Sequence, residues 1–175
     1  MGGRSAPLST GSLRGKPRDP GRHPREKRGF SLVELLIAVS ILGILAAIAI
    51  PSYLRYLENS KETTAISDIQ SIAYKLKGYM MEDPSALPDN LVTINLPLTD
   101  PWGNSYRYLR LYGRPGNLPQ ARRDHNLVPI NSDFDLYSMG PDGQSVKPLT
   151  GGPSRDDIVR ANDGAFVGKA SAYDP

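Results

Sequence analysis

At 175 residues the chain offers one domain of ordinary size with room for an appended segment, and its net charge of +3 gives little direction. The distribution says more: residues 1–29 carry eight Lys or Arg against two acids, a net +6, whereas 30–175 carry 13 basic against 16 acidic residues. A basic tail on a mildly acidic protein argues against a general nucleic-acid binder, and the lack of cysteine excludes disulfides and thiolate metal sites.

Residues 1–29 are rich in Gly, Pro, Arg and Ser and almost free of apolar side chains, so they cannot bury a core and read as a leader. From Phe30 to Ile50 the chain is apolar for 21 residues, with Glu34 as its sole charge. At about 1.5 Å per residue that is roughly 30 Å, one bilayer core. A secretory signal peptide has a shorter apolar region followed by a small-residue cleavage site. The basic flank places residues 1–29 in the cytoplasm and the C-terminal part across the membrane, a single pass.

Pro51 is expected to bend the helix, because it deletes a backbone hydrogen bond and crowds the preceding turn. Beyond it Tyr53, Leu57, Ile66, Ile69, Ala73, Leu76 and Met80 recur at steps of three and four, with charged residues mostly between them. One helix over about 30–82, roughly 80 Å long, is therefore expected, apolar in its first half and amphipathic in its second. Asp83-Pro84 and Leu87-Pro88 end it.

The remainder, 83–175, must supply a head that packs on the amphipathic half. Residues 105–112 ("SYRYLRLY") and 133–139 ("DFDLYSM") read as strands, the second with Phe134, Leu136 and Tyr137 toward the core, and 165–168 ("AFVG") as a third. The turn Asp100-Pro101-Trp102-Gly103-Asn104 precedes the first strand, and beyond Gly140 the chain reads mostly as turns. The fold class is α+β: a long N-terminal helix packed on a small antiparallel sheet with a loop-rich C-terminal region.

Lys27-Arg28-Gly29-Phe30-Ser31-Leu32-Val33-Glu34, the apolar run and Pro51 together resemble the N-terminal signature of type IV pilins and type II secretion pseudopilins. With 100–108 ("DPWGNSYRY") and 135–143 ("DLYSMGPDG"), the resemblance is to the major pseudopilins and covers most of 27–168. It implies cleavage between Gly29 and Phe30 by a membrane prepilin peptidase and N-methylation of Phe30. It also implies a homopolymer built with other pseudopilins on an inner-membrane assembly platform, driven by a cytoplasmic ATPase, that exports folded proteins. The expected organisation is a removed leader at 1–29, a transmembrane and assembly segment at 30–50, an amphipathic helix at 51–82 and a periplasmic head at 83–175. Glu34 sits about one turn into the apolar run, where an unpaired charge is costly. It is expected to neutralise a neighbour's Phe30 amine and so set filament register, with Pro51 closing the assembly segment. A type IV pilus subunit is the alternative, and a membrane-anchored calcium-binding or enzymatic domain a further one.

The resemblance implies a calcium site formed by the Met139 and Gln144 carbonyls and the carboxylates of Asp142, Asp156 and Asp157. Calcium takes six to eight oxygens from loops able to wrap it. By spacing alone, Asp142-Gly143 is a turn and Asp156-Asp157 a solvated acidic patch. The 12 residues between Gly143 and Asp156 form a longer spacer than is usual in that family.

Arg107, Arg110, Arg114, Arg122 and Arg123, interleaved with Tyr106, Tyr108 and Tyr112, have the composition of a single-strand nucleic-acid surface. The same pattern also suits a solvated strand face or a subunit contact, and no nucleic-acid partner is expected. His125 is the sole histidine outside the leader; a catalytic arrangement with Asp124 or Ser132 is set against a loop hydrogen-bonding role, and an enzyme is not expected.

Overall fold

The computed structural model describes residues 2–3, 29–96, 98–114 and 119–174. Most of the expected leader, with Lys27 and Arg28, lies outside the described residues. Helix α1 spans Leu32–Glu82 and continues through Pro51. The four strands are β1 (Arg107–Arg110), β2 (Phe134–Ser138), β3 (Ile158–Ala161) and β4 (Phe166–Lys169). They form one antiparallel sheet in the order β1-β2-β3-β4.

The chain divides into two units, Met1–Gly43 and Ile44–Pro175. In the second unit the helix is covered from Ala65 onward. Ala65, Ile69, Ile72, Ala73 and Leu76 are buried, whereas Tyr53 and Leu57 remain 61% and 39% exposed. Apolar periodicity thus begins a dozen residues before the buried core does, and over the turns between them the head meets the helix through polar contacts, Trp102 to Glu58 and Lys169 to Glu62.

The buried helix residues share a core with Leu87, Leu91, Ile94, Tyr106, Phe134, Leu136 and Ile158. A second cluster on the other face of the sheet joins Val159 and Ala161 to Ile130, Leu149 and Ala170. A sheet covered on both faces explains why every residue of β3 is buried. It also explains why β3 is not legible as a strand: residues 155–161 carry Arg155, Asp156, Asp157 and Arg160, a charge density that reads as loop.

Tyr106 and Tyr108 turn toward the helix side, where their hydroxyls donate to Asp68 Oδ2 (2.8 Å) and the Pro88 carbonyl (2.7 Å). Burial and the Asp68 carboxylate hold the Tyr106 hydroxyl above the ordinary tyrosine range. Burial likewise pushes Tyr108 up to about 12. Arg110 spans to the Leu87 and Ser85 carbonyls and lies near Asp89. These tyrosines and Arg110 are occupied by the fold, so the basic-aromatic stretch presents no row of free rings for base stacking.

Candidate functional site

Gly29 and Phe30 precede the helix in irregular backbone, and Phe30 is 84% exposed. A Cβ built on Gly29 would touch nothing within 4 Å. Just beyond, Ser31 Oγ accepts from the Glu34 backbone N–H (3.1 Å), while Glu34 Oε2 accepts from the Ser31 N–H and Oγ–H (3.1 Å each). This reciprocal pair is a capping box, satisfying helix-start donors that have no intrahelical acceptor. Sequence reasoning about Glu34 missed Ser31, although the serine three residues before a glutamate at the head of an apolar run is the signal for it.

The helix is long and apolar enough to cross a membrane, and none of its most apolar stretch is buried. Phe30, Leu32, Val33, Leu35, Leu36, Ile37 and the large apolar residues that follow to Ile50 are all more than half exposed. Such a surface needs cover from lipid or from other helices.

At the other end, the two segments that carry the resemblance in the head meet. Asp100 Oδ1 accepts from the backbone N–H groups of Trp102 (3.1 Å) and Asn104 (2.8 Å), and its Oδ2 accepts from Ser138 Oγ. Asn104 Nδ2 donates to the Gly140 carbonyl (3.0 Å), and Trp102 Nε1 donates to Glu58 Oε1 (2.8 Å) on the helix. The turn 100–104 therefore joins α1 to the Gly140 loop. Gly140 has φ +65°, and a Cβ there would lie 2.6 Å from the Asp156 carbonyl oxygen.

The five expected calcium ligands all lie in this region but are differently engaged. Asp157 is fully buried and its Oδ2 accepts from Arg122 Nη2 (2.6 Å) and Ser145 Oγ (2.6 Å). Burial pushes the Asp157 carboxyl up to about 6, against the pull of Ser145 and Arg122. Asp142 is exposed and turns back to accept the Gln144 N–H (2.7 Å). Asp156, half-buried, lies against Gly140, next to Met139. Among the described residues no three His, Asp or Glu side chains converge as a metal-holding group. As placed, these residues do not fit a calcium cage.

His125 Nδ1 lies 3.0 Å from Asp124 Oδ2, but Ser132 donates to Asp163 Oδ2 (2.7 Å) instead. No arrangement of Ser132, His125 and Asp124 forms, and His125 serves as a loop hydrogen-bonding residue.

A capped apolar helix with a bare surface, followed by a small sheet-bearing head, defines a membrane-anchored subunit of the pilin type. Residues 24–50 match the prokaryotic N-terminal methylation motif. The chain is 31% identical over 141 residues to the type II secretion system core protein G of Pseudomonas aeruginosa, covering 69% of this chain and 87% of the relative. It is 30% identical over 148 residues to the protein of the same name from Vibrio cholerae, covering 73% and 89%. A type IV major pilin of Myxococcus xanthus is 42% identical, but over 60 residues, 34% of this chain and 27% of that one. No solved structure matches with significance. The chain belongs to the type II secretion system core protein G family.

Proposed function

We propose that this chain is a non-enzymatic pseudopilin. After cleavage between Gly29 and Phe30, subunits pack their apolar helices side by side into a periplasmic filament that drives export of folded proteins. The observation that carries this reading is the bare apolar helix. Every large apolar residue from Phe30 to Ile50 is exposed, while the residues from Ala65 to Leu76 that recur on one face are covered by the head. Lipid covers the bare segment before assembly, and neighbouring helices cover it after.

Glu34 supplies the register. In the single chain its carboxylate accepts from neutral Ser31 donors. The N-methylated amine of a neighbour's Phe30 is charged, and a charge-assisted hydrogen bond is roughly twice as strong as a neutral one. In a dry helix bundle a slipped register leaves both charges unpaired. Prepilin peptidase, an inner-membrane assembly platform and its ATPase are the partners of this pathway, and the head lies on the periplasmic side of the inner membrane. The likeness to the Myxococcus pilin spans 60 residues of the chain, so it does not favour a type IV pilus.

The reading is tested by expressing Glu34→Ala with the secretion machinery and following both terminus and polymer. The expected result is a processed, membrane-inserted subunit with a methylated Phe30 by mass spectrometry that is absent from the sheared filament fraction. Normal filaments from the variant would refute the register role, and an intact 1–29 segment in wild type would refute the subunit reading.

A further inference from the structure

We propose that the Arg122 guanidinium is the resident cation of the C-terminal loops, closing them in place of a divalent metal, so that the head folds and stays folded without calcium. Arg122 lies in the long connection between β1 and β2 and is 3% exposed. Its Nη2 donates to Asp157 Oδ2 (2.6 Å), and its Nη1 donates to Ser145 Oγ (2.5 Å) and the Val146 carbonyl (2.7 Å). Its backbone N–H donates to Asp135 Oδ2 (2.7 Å), and its guanidinium lies 4.3 Å from the centre of the Tyr137 ring. One side chain thus ties together β2, the segment after the 140–143 turn, and the segment leading into β3. Those are the stretches a metal bound between Asp142 and Asp157 would join.

Charge and geometry agree. The bonds at Nη1 and Nη2 radiate from a planar, permanently charged fork, which a buried pair requires if the carboxylate is not to be left uncompensated. The Ser145 hydroxyl accepts from Arg122 and donates to Asp157, closing a three-membered ring of hydrogen bonds. Ser154 holds the same strand of loop from the other side, accepting the Val146 N–H (2.8 Å) and donating to the Val146 carbonyl (2.6 Å). Ser145 and Ser154 both lie in the long spacer between Gly143 and Asp156, so the extra residues build the shell around the arginine. Asp157 Oδ1 is buried without a hydrogen-bond partner. A divalent ion there would share its carboxylate with a guanidinium already bound to the other oxygen, and the two cations repel.

The test uses the full chain in detergent, comparing thermal unfolding with millimolar calcium and with chelator, alongside a calorimetric calcium titration. For wild type the expected outcome is the same melting temperature in both conditions and no saturable calcium binding. Arg122→Met leaves Asp157 buried and unpaired and is expected to lower the melting temperature by about 5–10 °C. The double variant Arg122→Met with Asp157→Leu removes both charges and is expected to recover most of that loss. Saturable calcium binding by wild type, or its stabilisation by more than about 3 °C, overturns the proposal even if no variant folds. A single variant that melts with wild type overturns it as well.

Discussion

Gly140 and Ser31 are single residues whose roles follow from geometry rather than from composition. At φ +65° and with the Asp156 carbonyl oxygen 2.6 Å from where a Cβ would stand, Gly140 tolerates no side chain. Gly140→Ala is expected to destabilise the head by roughly 2–3 kcal/mol, through left-handed backbone strain and displacement of the Asp156 segment. Denaturant unfolding with unchanged m-value checks it. Ser31→Ala removes the cap but leaves the Glu34 carboxylate for a neighbour. It is expected to fray the start of the helix at a cost of about 1 kcal/mol while filaments still form. Loss of filaments from Ser31→Ala as complete as from Glu34→Ala would place the serine in the assembly contact itself.

At the scale of elements, α1 is two different helices in one. Its covered part, from Ala65, contributes to the core with Phe134, Leu136 and Ile158, while its large apolar residues from Leu32 to Leu54 are more than half exposed. Ile69→Ala is expected to cost about 2–5 kcal/mol of head stability, because the site is fully buried and the cavity cannot collapse between helix and sheet. Leu54→Ala, at a position 58% exposed, is expected to change head stability by less than about 0.5 kcal/mol while weakening assembly. Melting curves and filament yield on the two variants separate these roles. The helix, its apolar half and the strands β1, β2 and β4 were legible from periodicity and turn residues, with ends that differ by at most two residues. β3 was not, because Arg160 within it and Asp157 just before it are buried against partners far along the chain: Asp133, 27 residues from Arg160, and Arg122, 35 residues from Asp157.

For the whole molecule, charge asymmetry offers a readout of processing. The full chain has an isoelectric point near 9.2, yet residues 30–175 carry three more acids than bases. Removal of 1–29 is therefore expected to move the protein from the basic to the acidic side of neutrality in isoelectric focusing, and a membrane-extracted product still focusing near the full-chain value would show that cleavage does not occur. The cleavage motif, the anchor and the family were open to sequence because they depend on residues close together, where spacing alone sets the geometry. The placement of the carboxylates at the C-terminal loops was not. By spacing Asp156 and Asp157 read as a solvated acidic patch and by resemblance as metal ligands; neither reading had Arg122 against a buried Asp157. A buried charge takes its meaning from the partner that compensates it, and that partner is chosen by tertiary contact rather than by neighbours in the chain.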